Sequence, residues 1–183
     1  MATTVPILTT VGHSTHEPDR LVELLRGASV EAIADVRRFP GSRRMPWFAA
    51  EAMREWLADA GIGYEHLPEL GGRRKPVPDS PNGGWEVRQF QGYADHMESA
   101  EFEAGLDRLL ALADERSVAA MCAEAPWWRC HRRLLADALL VRGHAVVHLM
   151  PDGRTQRHEL TPFAVVDGTY LTYPPLQDEL ALD

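Results

Sequence analysis

Little sulfur and almost no lysine mark this chain: its 183 residues include two cysteines, Cys122 and Cys130, and one lysine, Lys75. Two cysteines cannot build the disulfide framework of a small secreted domain, so chemistry, metal binding or plain burial must account for them. No apolar run is long enough to span a bilayer, and the opening residues, "MATTVPILTTVGHS", lack the basic lead of a secretory signal. A cytoplasmic protein without membrane contact is expected. There is no Walker phosphate loop, and Gly12 lacks the companion glycines of a dinucleotide fingerprint, which argues against nucleotide cofactors of those kinds. A net charge of −8 excludes a globally basic nucleic-acid coat, though not a local basic patch. Cofactor identity and oligomeric state are left open.

The 45% apolar content suits one substantial core. Short apolar runs alternate with amphipathic helical stretches. "ILTTVGHS", "VEAIADVR", "IGYEHL", "SVAAMCAE" and "HAVVHLM" read as strands. "PDRLVELLRGA", "FAAEAMREWLADAG", "QFQGYADHM" and "SAEFEAGLDRLLALADE" read as helices, the last capped by Ser99, and Ser14 with Glu17 has capping-box spacing ahead of the first. "PWWRCHRRLLADALLVRG" reads as one helix with Pro126 in its first turn. "RFPGSRRMP" and "PELGGRRKPVPDSPNGGW" are loops, the second long enough to serve as a lid. Beyond Pro151 a tail is expected, with a small hairpin about Asp167-Gly168.

Strands separated by helices predict an α/β fold: a single three-layer domain whose mainly parallel sheet of about five strands carries helices on both faces. Residues 1–150 would form it, with 151–183 a C-terminal extension packing on the same domain. Ligands of such sheets bind at the carboxyl ends of the strands. Those ends deliver Gly12-His13-Ser14, then Asp35 and Arg37, then Gly71-Gly72-Arg73-Arg74, then Cys122 and Glu124. Arginines 37, 38, 43, 44, 73, 74, 88, 129, 132 and 133 lie in or beside these loops. An acidic protein with arginine gathered at one rim suits an anionic ligand, because guanidinium forks match phosphate and carboxylate geometry.

A helix beginning near Pro126 would offer an anion site where Arg129, His131 and Arg132 reach, and its field would favour a thiolate at Cys130. Plainer readings stand beside these. Cys122 in an apolar strand can be a buried hydrophobe, and Asp35 can simply pair with Arg37 or Arg38. His148, Trp127, Trp128, Phe90, Tyr93 and Met97 read as packing residues. Cys122, Glu124, Cys130, His131 and His13 could converge on a metal, but the spacing of the cysteines is not that of a close-set chelating pair, and no metal ligand is assigned.

The ordered set "TVGHS", "ADVRRFPGSRR", "GIGYEHLPELGG", "FQGYADHM", "MCAEAPWWRCHRRLLADALLVRG", "VVHL" and "RHELTPFA" resembles the bacterial family called domain of unknown function 488 over nearly the whole chain. The resemblance implies a soluble α/β domain and places family motif positions at Gly12, His13, Ser14, Asp35, Arg37, Pro40, Ser42, Gly71, Gly72, Tyr93, Cys122, Glu124, Cys130, His131 and Arg132. It implies no particular reaction, so function rests on the site. The expected function is an enzyme acting on a phosphorylated or anionic substrate, nucleotide or nucleic-acid related, with an anionic small molecule or nucleic acid as partner. Its candidate catalytic residues are Cys130 as thiolate, with Asp35, Glu124 and His13 to move protons. Its candidate substrate-binding residues are Ser14, Arg37, Ser42, Gly71, Gly72, Tyr93, Cys122, His131 and Arg132. A non-catalytic nucleic-acid or protein binding module and a Cys/His metal-binding protein are the alternatives.

Overall fold

Period-two alternation sorts the strand residues onto two faces. In the strand Val118–Cys122, called β4, Val118, Ala120 and Cys122 join one buried cluster while Ala119 and Met121 join another. The computed structural model describes residues 7–175. Around β4 lie β1 (Leu8–Gly12), β2 (Ala32–Asp35), β3 (Gly63–His66) and β5 (Val146–Leu149), all parallel, in the order β3-β2-β4-β1-β5. A sixth strand, β6 (Thr155–Arg157), extends this sheet antiparallel to β5. The expected mainly parallel sheet of about five strands holds, with β6 as a sixth, antiparallel member: the turn after β5, with Gly153 at φ 86°, folds the start of the tail back onto the open edge.

Helices α1 (Pro18–Gly27) and α2 (Ala50–Asp59) cover one face through Leu21, Leu24, Leu25, Met53 and Leu57. Helices α3 (Arg88–His96), α4 (Ala100–Glu115) and α5 (Arg132–Val141) cover the other through Tyr93, Phe102, Leu106, Leu134 and Leu135. The α/β reading therefore holds, and Ser99 caps α4 by accepting from Phe102 N–H. Two local expectations need correction. α1 begins at Pro18 with Glu17 at its cap and no side-chain cap bond; Ser14 instead turns the chain at φ 49°. The stretch from Pro126 is not one helix: Trp127–Arg129 form a 3-10 turn, Cys130 is extended, and α5 starts at Arg132. Packing explains the break, since Trp127 must lie flat on His148, with ring centroids 4.1 Å apart, while α5 packs on the sheet.

The extension is tied in by a buried polar chain. Asp137 of α5 accepts from His158 Nε2 at 2.8 Å, Thr161 N–H at 3.0 Å and Tyr173 O–H at 2.9 Å. His158 Nε2–H thus faces the carboxylate, so His158 Nδ1 accepts from His148 Nε2 at 3.0 Å and His148 Nδ1 accepts from the Thr10 hydroxyl at 2.7 Å. The expected hairpin follows as β7 (Val165–Asp167) and β8 (Tyr170–Thr172), with Gly168 at φ 61°. The long loop is clamped too: Asp95 accepts from Ser80, Asn82 and the Val77 N–H, and Asn82 accepts from Tyr173 N–H. The expected readings at 1–6 and 176–183 lie outside the described residues. No helix among the described residues is long and apolar enough to cross a membrane.

Burial pushes His148 down from 6.5 to about 3, with His158 and Arg132 adding to the shift. Because the unfolded imidazole takes a proton that the native one refuses, this contribution is complete above pH 6.5 and is lost as pH falls toward 3. Native stability is expected to drop with acidification by an extra ~1.4 kcal/mol per pH unit from this group. Urea midpoints of wild type and His148→Asn across that range test it: the variant starts lower but falls less steeply, and parallel slopes would assign the acid sensitivity elsewhere.

Candidate cysteine-centred anion site

The chain leaves β1 toward β2 through α1 on one face and leaves β4 toward β5 through α5 on the other. Neighbouring strands whose connections depart in opposite directions open a crevice between their carboxyl ends, and Gly12 pairs with Cys122 at that point. The ladder continues past both strands, with His13 N–H donating to Cys122 O at 2.9 Å and Ser14 N–H to Ala123 O at 2.9 Å. This close crossing is why residue 12 is glycine. A Cβ there would overlap the Glu124 carbonyl oxygen and sit 2.9 Å from an Arg132 nitrogen.

Arg132 is 1% exposed, and no carboxylate lies within 4.0 Å of it among the described residues. Its guanidinium donates to the carbonyls of Glu124 and Ala125 and, through Nε, to Cys130 Sγ at 3.4 Å. A buried cation needs a counter-charge. The group in reach that can take a negative charge is the Cys130 thiol. Burial works against charging that thiol, but a hydrogen bond from Cys122 together with His131 and Arg132 holds it well below the ordinary thiol range. Cys122 shifts the opposite way, raised well above that range because it is the donor to Cys130 and because it is buried. The two shifts are opposed, so the surroundings favour negative charge on Cys130 over Cys122.

His131 completes the cluster. Its Nε2 faces Val36 O at 3.1 Å and must carry a proton there, so Nδ1 is turned to Cys130 Sγ at 3.6 Å and Cys122 Sγ at 3.8 Å. Gly72 leaves room for this ring: a Cβ would be 2.7 Å from Nδ1. Tyr93 packs behind it with ring centroids 5.0 Å apart, donates to Leu70 O at 2.9 Å and has its hydroxyl raised by burial. The two sulfurs and Nδ1 lie within 4.8 Å of one another, a donor set that a thiophilic cation such as zinc could use. Folding brings together what the sequence spacing kept apart.

In front of the cluster is a cavity of about 330 Å³, lined by His13, Arg37, Ser42, Gly72, Cys122, Glu124, Cys130 and His131 among others. Arg38, Arg73 and Arg129 line it as well and form no ion pair among the described residues. Arg37 differs: it is bound to Asp35 through Nε at 2.8 Å and Nη2 at 2.6 Å, and this keeps it protonated despite burial. Asp35 is fully buried and also accepts from Tyr64 O–H at 2.6 Å, so its oxygens are occupied. His13 stacks on Phe48 at 3.9 Å; its Nδ1 donates to Ser14 O at 2.9 Å and its Nε2 accepts from Arg37 at 3.3 Å. Burial lowers His13 to about 4. Ser42 Oγ accepts from Met45 N–H at 3.0 Å, which folds the loop that bears it. Ser14, Asp35, Gly71, Tyr93 and Arg132 do not line the cavity; they hold the walls that do. Gln89 and Phe39 line it without having given any signal in the sequence.

Fold and site together define a single α/β domain with a cysteine-centred cleft at the carboxyl edge of its sheet. Residues 17–139 match the family described as Domain of unknown function DUF488, and the chain belongs to that family. Among curated proteins and among solved structures, nothing matches it.

Gly12→Ala is expected to cost roughly 1–3 kcal/mol by forcing the Glu124 loop aside, whereas Gly27→Ala at the end of α1, where a Cβ meets nothing within 4 Å, is expected to cost nothing. Urea unfolding of the two variants measures the contrast. Equal effects would contradict the tight crossing of β1 and the β4 loop.

Proposed function

We propose that this protein is a cytoplasmic enzyme acting on a phosphorylated or otherwise anionic substrate, nucleotide or nucleic-acid related, with Cys130 as its nucleophile. One observation supports the reading: Cys130, bonded by the buried Arg132, borders a cavity also lined by Arg38, Arg73 and Arg129, which form no ion pair among the described residues. The arginines hold the anion and the thiolate is placed next to it. Arg132 and Asp35 serve as positioning residues, the first for the thiolate and its loop, the second for Arg37. Among the proton-moving candidates, Glu124 is the exposed carboxylate on the cavity wall. In the reaction, Cys130 Sγ bonds to the electrophilic centre beside the anionic group while the bond to the leaving oxygen breaks, and Glu124 gives that oxygen its proton. Glu124 then takes a proton from the water that releases the product and restores the thiolate. A cytoplasmic setting suits two unpaired thiols.

A cavity of this size accommodates a mononucleotide and favours a pocket over an extended binding surface. Thermal shift of the full chain with inorganic phosphate, sugar phosphates, mononucleotides and short oligonucleotides tests this. One class is expected to raise Tm by about 2–4 °C per kcal/mol of linkage, and Arg129→Ala to abolish the shift while leaving the unliganded Tm unchanged. No shift with any class, or shifts that only grow with oligonucleotide length, would remove the pocket reading. On an identified substrate, Cys130→Ser is expected to retain binding and lose turnover; full turnover would overturn the nucleophile.

A further inference from the structure

The nucleophile reading uses one sulfur. The second, Cys122, lies at the end of β4 with its sulfur within 4.8 Å of Cys130 Sγ and His131 Nδ1. The chain has only these two cysteines, so each is the other's sole intramolecular partner. A disulfide needs the sulfurs at ~2.05 Å, so oxidation has to draw them together from a separation of no more than 4.8 Å. The backbone favours it. Cys130 is extended, at φ −127° and ψ 151°, and lies outside both the 3-10 turn and α5, so its side chain is not locked by a helix. Access is restricted: Cys130 is 2% exposed and borders the 330 Å³ cavity, which admits a small oxidant to the sulfur.

We propose that Cys130 is an oxidation site and Cys122 its resolving thiol, so that a hydroperoxide converts the pair to a Cys122–Cys130 disulfide which a dithiol reductant reopens. The proposal rests on the reading of Cys130 as the nucleophile at the cavity and on the closeness of the two sulfurs. In the first step Cys130 Sγ attacks the hydroxyl oxygen of the peroxide; the S–O bond forms, the O–O bond breaks, hydroxide leaves from hydrogen peroxide or an alkoxide from an organic hydroperoxide, and the sulfur becomes a sulfenic acid, oxidised by two electrons as the peroxide is reduced. In the second, Cys122 Sγ attacks the sulfenic sulfur; the S–S bond forms, the S–O bond breaks, and the departing hydroxide takes the Cys122 proton to leave as water. His131 Nδ1, within reach of both sulfurs, relays that proton. Without Cys122 the sulfenic acid has no thiol in the chain to meet and is carried on to the irreversible sulfinic acid. Cys122 is thereby the residue that makes oxidation of the nucleophile reversible.

The test uses the full chain, reduced and freed of metal by a chelator, then treated with hydrogen peroxide at neutral pH and followed by intact mass, thiol titration and peptide mapping. Both thiols are expected to disappear together with the loss of two hydrogens, and dithiothreitol to restore them. Cys122→Ser is expected to gain two oxygens on Cys130, which dithiothreitol does not remove. Wild type that accumulates a sulfinic Cys130 while Cys122 stays free would overturn the proposal. Iodoacetamide labelling of the untreated protein separates the two layers. If Cys130 is alkylated at neutral pH but peroxide forms no disulfide, only the resolving role fails. If neither reagent touches Cys130, including where the thiols hold an equivalent of zinc that the chelator cannot remove, the thiolate reading fails and the proposal falls with it.

Discussion

A guanidinium sealed from water beside a sulfur atom is the constraint around which this molecule is arranged. Among the described residues Arg132 pairs with no carboxylate, and burying an uncompensated cation costs several kcal/mol. The neighbouring Cys130 thiol, held well below the ordinary thiol range by Cys122, His131 and Arg132, is placed to meet that need, and the Glu124 and Ala125 carbonyls take the remaining donors. The same contacts fix the path of the loop between β4 and α5. That path requires Gly12 on the adjacent strand and leads to Cys130, extended where its sulfur meets Cys122 and His131.

The sheet supplies the setting. Because α1 and α5 leave β1 and β4 on opposite faces, their carboxyl ends part, and everything polar in the site descends from the loops around that gap. Two arginines of the rim have been drawn into structure: Arg37 is clamped by Asp35, and Arg132 is buried behind the cysteine. Arg38, Arg73 and Arg129 remain facing the cavity. The site therefore has inner arginines that set geometry and outer ones that form no ion pair among the described residues.

Most of the architecture was legible because its signals are local. Alternation in "SVAAMCAE", the capping Ser99 and the Asp167-Gly168 turn each act within a few residues, and each element formed where its signal lay. What escaped was set by distant partners. The antiparallel strand β6 has three exposed residues and no alternation to announce it; its existence depends on the open edge of β5. The break at Cys130 depends on Trp127 finding His148, and Ser14 turns the chain because the β4 loop lies beneath it. Within the site, residue types were readable but exposure was not. Arg132 and Arg129 look alike in sequence, and only the fold separates a buried partner of a thiolate from a cationic wall of a cavity. The chain joining Thr10, His148, His158, Asp137 and Tyr173 draws on four separate parts of the sequence, and none of them hints at the others.

The most direct measurement is an ultraviolet titration of thiolate absorbance, run on the metal-free protein from acid to alkaline pH, with Cys130→Ser and Cys122→Ser as references. A charge shared as described gives the absorbance of a single thiolate already at neutral pH, absent in Cys130→Ser, and a second thiolate only in strong alkali. No thiolate absorbance until ordinary thiol titration begins, or two thiolates appearing together, would contradict the pairing of Cys130 with Arg132.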